Sequence, residues 1–186
     1  MCFSGDKLFG GPQSGVIAGK AKLIAALKRE PLFRALRCDK LILAALEATV
    51  DIYLRDSVSL SGAKASGDRP SQHRIPLLAM MHASNDELQI RAEKIVAELD
   101  GELPVKVTIG RGRAQIGGGA LPRSIVRSTT LDICSGGVRA QDLAARLRSH
   151  RPPIIGYIER GQLKLDLRTV FADQDAEIVA ALRAAI

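Results

Sequence analysis

The sequence predicts an α/β chain that ends in a small α+β domain built on a mainly antiparallel sheet. Three observations predict it. Hydrophobic residues make up 46% of the 186 and charged residues 25%, a balance that can bury a core and excludes a chain disordered throughout. From residue 77 onward the apolar spacing alternates between helical and strand periods in the order helix, two strands, helix, hairpin, helix, which is the pattern of α+β layers. Glycine- and proline-rich turns punctuate those segments.

Taken in order, MCFSGDKLFGGPQSGVIAG reads as a short strand, a glycine-rich turn and a second strand at Val16 to Ala18, with a helix starting near Lys20. Leu23, Ile24 and Leu27 give that helix one apolar face, and Pro31 ends it. Pro31 is tolerated at a first helical position. A long helix over 31–55 is therefore expected, its apolar positions running through Leu36, Leu43, Val50 and Leu54. Residues 56–76 are rich in Ser, Gly, Asp and Pro and read as a linker or loop.

Ser84 is a suitable N-cap for the amphipathic run NDELQIRAEKIVAELDG, which Gly101 closes. PVKVTIG and SIVRSTTLDIC read as strands separated by the loop GRGRAQIGGGALPR. VRAQDLAARLRSH reads as a helix, residues 152–170 as a hairpin turning at Arg160-Gly161, and the last fourteen residues as a helix with Asp173 as its cap. Residues 1–30 thus look like the edge of a larger α/β domain, 31–55 a connecting helix, 56–76 a linker, and 77–186 a complete small domain.

Charge narrows the function classes. The net charge is +7, but residues 20–40 hold seven lysines and arginines against two acids, a local surplus of +5. That concentration fits a focused anion site or basic patch better than general polyanion affinity. Aromatics are only 3%, which argues against base stacking as the main function. Cys2, Cys38 and Cys134 have no C-x-x-C spacing, so no disulfide framework or zinc site is suggested and a reducing cytoplasm is the expected compartment. The apolar run at 41–46 is far too short to span a bilayer, and no membrane partner is expected.

Lys7 follows a strand end and precedes a double glycine. A lysine in such a segment can be partly desolvated and lowered in pKa, as a Schiff-base lysine requires; an exposed loop lysine is the alternative. Asp6 beside it could hold the ammonium or orient a neighbouring group. Arg34 and Arg37 are three apart near the start of the expected long helix, so they would share a face suited to a phosphate-like anion; a solvated basic face is the alternative. His73, His82 and His150 are isolated, and the two arginines and glycines of GRGRAQIGGG do not satisfy a nucleotide-loop pattern.

The run SGDKLFGGPQSG from Ser4 to Gly15 resembles the cofactor-lysine segment of the bacterial L-seryl-tRNA(Sec) selenium transferase (selenocysteine synthase) family. The resemblance continues collinearly through residues 30–54, IPLLAMM at 75–81, IGGGALP at 116–122, and residues 152–170. It implies the C-terminal part of an aspartate-aminotransferase-like, fold-type I enzyme that uses pyridoxal 5′-phosphate: the end of the large domain, the connecting helix and the small domain. It also implies Lys7 as the lysine joined to the cofactor and Arg34 and Arg37 as holders of selenophosphate; Asp6 is expected to act beside Lys7 as a catalytic residue on its position alone. Seryl-tRNA(Sec) would be the substrate, and the full-length enzyme a homo-oligomer. Arg168 lies where related enzymes place a carboxylate-binding arginine, but the carboxyl of seryl-tRNA is esterified, so a structural or RNA-backbone role is expected at least as strongly. Because six residues precede Lys7, the chain is expected to be a C-terminal fragment that is inactive alone. The competing readings are a related lyase acting on a phosphorylated amino or sugar acid, and a non-catalytic basic module that binds RNA or a partner protein.

Overall fold

The computed structural model describes residues 1–60, 75–116, 125–134 and 137–186, with only the backbone at 56–60. The chain divides into two compact units, Met1–Ala79 with Ile116–Pro122, and Met80–Gln115 with Arg123–Ile186.

In the first unit, β1 (Cys2–Ser4) pairs antiparallel with β2 (Gly15–Ile17), as the sequence predicts. Helix α1 (Ala21–Arg29) stops before Pro31, which opens the five-residue α2 (Pro31–Ala35). The single helix expected over 31–55 is not formed. The chain leaves α2 after Ala35 and begins again at α3 (Lys40–Leu60). Asp39 is the reason: its carboxylate accepts from the Ile42 amide at 2.8 Å and its carbonyl receives the Leu43 amide at 3.1 Å, which is the geometry of an N-cap. Helix α3 also runs five residues into the segment expected to be a loop, whose first glycine comes only at Gly62. The rest of that segment to residue 74 lies outside the described residues. Neither α1 nor α2 buries a residue, and Leu23, Leu32, Leu36 and Leu41 are all more than 60% exposed, so this unit leaves apolar surface uncovered.

Helix α4 (Pro76–His82) leads into the second unit. There α5 (Asn85–Leu99) opens with a reciprocal capping box between Ser84 and Glu87, and Gly101 takes φ +74° just beyond its end. Strands β3 (Lys106–Gln115), β4 (Ile125–Cys134), β5 (Tyr157–Glu159) and β6 (Gln162–Asp166) form an antiparallel sheet in the order β3-β4-β6-β5. Helices α6 (Ala140–Ser149) and α7 (Asp175–Ala185) complete the unit. Leu88, Ala92 and Ile95 of α5, Leu143 and Leu147 of α6, and Ile178 and Leu182 of α7 close the core on Leu131, Ile133, Leu163 and Leu165. These strand residues alternate along β4 and β6, so one face of the sheet is apolar and the other polar.

The β5–β6 turn falls at Arg160 and Gly161, both at positive φ (52° and 77°), the backbone a two-residue primed turn requires. Two further expectations are corrected. Asp173 does not cap α7: it sits in a 3-10 turn, and Gln174 precedes the helix. GRGRAQ is not loop but the second half of β3, in unbroken register with β4 to Gln115–Ile125. Its glycines serve packing. A Cβ at Gly110 would collide with the carboxylate of Asp132, and one at Gly112 would lie 2.8 Å from Thr130 Cγ2.

Candidate active site

The hairpin turn that carries Lys7 is built from short-range hydrogen bonds. The Gly5 amide donates to Ser14 O and the Gly11 amide to Gly5 O, both at 2.8 Å, while the Gly10 amide donates to Lys7 O at 3.0 Å. Gly10 sits at φ +70°, where a β-carbon would lie 2.6 Å from Ile75 Cγ2; the double glycine is a demand of this turn. The turn is held against α3 by aromatic rings. Phe9 stacks on Tyr53 at 5.0 Å and 13°, and the Tyr53 hydroxyl donates to the Phe9 carbonyl at 3.0 Å. Phe3 meets Phe9 edge-on at 6.4 Å. Burial pushes the Tyr53 hydroxyl above the ordinary tyrosine value.

Lys7 Nζ donates to Asp6 Oδ2 at 2.6 Å. That hydrogen bond holds the Asp6 carboxyl below the usual carboxylate range. The partial desolvation expected of Lys7 is not found: its side chain is 51% exposed, because the turn carries it outward and a carboxylate takes its ammonium. It borders an open hollow of about 670 Å³ shared with Cys2, Ser4 and the rings of Phe3, Phe9 and Tyr53, a volume within the range of small-ligand sites. Tyr53 is the residue that sequence reasoning missed. Three of the chain's six aromatic rings meet here, and that scarcity was the available signal.

Arg34 and Arg37 do not share a helix face. Arg34 is in α2, Arg37 lies beyond its end, and the Arg37 amide reaches Arg34 O at 3.4 Å. Both are exposed. Among the described residues, no ion pair engages either of them and none joins them to Asp6 or Lys7.

Arg168 is buried, at 5% exposure, and its guanidinium donates to the carbonyls of Met80, Ala83 and Arg127 and to Asn85 Oδ1. Burial lowers its pKa from the ordinary arginine value. All four partners are neutral protein groups, so Arg168 ties segments of its own unit together. His150 Nδ1 lies 3.1 Å from Pro152 O, His82 ends α4, and His73 lies outside the described residues. Among the described residues no group of three or more His, Cys, Asp or Glu is placed to hold a metal, and no helix is long and apolar enough to cross a membrane.

A family model described as L-seryl-tRNA selenium transferase matches residues 1–171. The chain belongs to that family. Two relatives named L-seryl-tRNA(Sec) selenium transferase, from Geotalea uraniireducens and Hyphomonas neptunium, are 41% and 40% identical over 185 and 183 residues, in each case 98% of this chain and 37% of the relative. The chain thus spans a little over a third of the length of the curated relatives it matches. A solved structure titled D-Glucosaminate-6-phosphate Ammonia-lyase superposes with a TM-score of 0.61 at 24% identity, over 99% of this chain and 42% of that one. This likeness concerns the fold alone: a mixed α/β chain with antiparallel sheets.

Proposed function

We propose that the chain is the C-terminal portion of an enzyme that converts seryl-tRNA(Sec) to selenocysteinyl-tRNA(Sec) with selenophosphate, and that Lys7 is the residue to which pyridoxal 5′-phosphate is joined. The observation that carries the reading is the Lys7 amine, presented from a glycine-built turn at the edge of a ligand-sized hollow, in a chain that the family model spans from residue 1. The residues present fit the attachment end of such a cofactor: an accessible primary amine, flat rings lining the hollow, and a carboxylate to hold the amine's position. When bound, pyridoxal phosphate withdraws electrons from the α-carbon of the amino acid it holds.

The rest of the mechanism belongs to the chain's own side chains. Lys7 Nζ, once free, takes the α-proton of the seryl group and returns a proton later. Asp6 stays anionic down to low pH because Lys7 hydrogen-bonds it, so it steadies the ammonium through both transfers. Arg34 and Arg37, exposed and with no carboxylate partner among the described residues, offer guanidinium forks to the oxygens of selenophosphate. The serine hydroxyl leaves as water, taking up a proton; the selenium of selenophosphate bonds to the β-carbon, its P–Se bond breaks, and the phosphoryl group passes to water and departs as phosphate. The setting of the reaction is the cytoplasm, and the uncovered apolar side chains of α1 to α3 suit contact with the remainder of a homo-oligomeric enzyme.

The test is selenium transfer by the whole enzyme containing this chain. Lys7→Ala abolishes turnover, and Arg34→Ala with Arg37→Ala raises the KM for selenophosphate far more than that for seryl-tRNA. Full turnover by Lys7→Ala contradicts the reading.

A further inference from the structure

Strand β4 pairs with β6 only from Thr130 to Ile133, whereas its pairing with β3 continues to Gln115–Ile125. Residues 111–115 and 125–129 therefore form a two-stranded ribbon that extends past the four-stranded sheet. On one face of this ribbon stand Arg111, Arg113 and Arg127, all exposed. Arg113 lies directly opposite Arg127 in register, and Arg111 is opposite Thr129. Like charges directly opposite on neighbouring strands destabilise the pairing. Among the described residues no ion pair offsets them: every carboxylate in such a pair is engaged by Lys7, Arg91, Arg139, Lys164 or Arg183. The base of the ribbon is nevertheless held firmly, since the buried Arg168 donates to the Arg127 carbonyl at 2.6 Å.

We propose that this ribbon is a binding surface for an RNA sugar-phosphate backbone, and that Arg111, Arg113 and Arg127 contact phosphates of the aminoacyl-tRNA substrate. The identity of that RNA rests on the function proposed above; the surface itself rests on the register. Residues two apart on a strand are about 6.8 Å apart, so Arg111 and Arg113 address separate, successive phosphates rather than converge on one. A single small anion would gain little from three exposed, spread guanidinium groups. A polyanion gains from each of them, because every neutralised phosphate releases counterions. The ligand also explains the uncompensated Arg113–Arg127 pair: repulsion in the free protein is relieved when phosphates lie between the side chains.

The experiment is fluorescence anisotropy of a labelled tRNA(Sec) transcript with the 186-residue chain over a range of salt concentrations. Replacing all three arginines by alanine is expected to weaken binding at least tenfold at low salt and to flatten the slope of log K against log salt by about 2 to 3. The triple lysine variant keeps most of the slope. Because the side chains are exposed, thermal melts of both variants show no loss of stability. Equal affinity and slope for wild type and the alanine variant overturn the ribbon proposal while leaving the selenium-transfer reading intact. Absence of any tRNA binding by the wild-type chain also overturns it, and the turnover assay on the whole enzyme then decides separately whether the functional reading fails.

Discussion

The carboxylate of Asp132 on β4 occupies the space that a side chain at Gly110 on β3 would need. The two residues are diagonal neighbours across the strand pair, since Gly110 pairs with Thr130 and Asp132 with Thr108. Gly110→Ala should therefore force the carboxylate aside, at a cost of about 1–3 kcal/mol from overpacking. Chemical denaturation of the chain checks this. Gly15→Ala, where no atom lies within 4 Å of the added carbon and φ is not positive, is a control for loss of backbone freedom.

Asp132 is held where it is by Lys164, whose ammonium donates to Asp132 Oδ2 at 2.6 Å while Thr130 donates to Oδ1 at 2.6 Å. Both ionic side chains are about nine-tenths buried, at 9% and 12% exposure. Asp132→Asn leaves the buried ammonium facing only the exposed Glu159 carboxylate, 3.8 Å away, and should cost about 3 kcal/mol, much of which Asp132→Asn with Lys164→Met recovers. The pH dependence has a definite sign. Burial pulls the Lys164 pKa down, but the hydrogen bond and charge of Asp132 outweigh it and leave the group raised. Its contribution is thus fully present below the unfolded value of about 10.4 and is lost as pH rises through the higher folded value. Denaturation midpoints followed from pH 7 to 11 should show the wild type losing stability only at the alkaline end. The gap to Asp132→Asn should narrow there.

Arg168 donates to three carbonyls and one side-chain amide. Arg168→Met is expected to destabilise by about 3 kcal/mol or more, since several buried acceptors lose their donor together. A substrate-binding arginine would leave stability unchanged and alter KM alone, so thermal melting distinguishes the two roles.

Tyr53→Phe removes the hydroxyl that donates to the Phe9 carbonyl but keeps the stacked ring. The expected loss is about 1 kcal/mol. Tyr53→Ala removes the ring as well, loosening the turn that carries Lys7. Hydrogen exchange at the Gly10 and Gly11 amides, which donate to Lys7 O and Gly5 O, should rise modestly in the first variant and strongly in the second.

What could be read from the sequence follows the range of the interactions involved. The capping box at Ser84, the turn at Arg160-Gly161 and the arrest of α1 before Pro31 are decided within a few residues, and each is legible. Asp39 is one of the two acids in the basic segment 20–40 and carries no local sign of being a cap, so the sequence predicts one helix where two form. Gly110 and Gly112 carry the same local signature whether they sit in a loop or beneath a neighbouring side chain; only the register with β4 tells them apart. Lys7 and Asp6 were visible from local pattern and resemblance, whereas Tyr53 approaches Phe9 across 44 positions with no motif to announce it. Arg168 is singled out only by the resemblance, and its four partners lie between 41 and 88 residues away.

The central claim is that Lys7 is joined to the cofactor, and borohydride reduction of the whole enzyme containing this chain, followed by peptide mapping, tests it most directly. The expected result is a pyridoxyl group fixed on Lys7 within the peptide CFSGDKLFGGPQSGVIAGK and absent when Lys7 is replaced. A pyridoxyl group on any other lysine, with Lys7 unmodified, would contradict it.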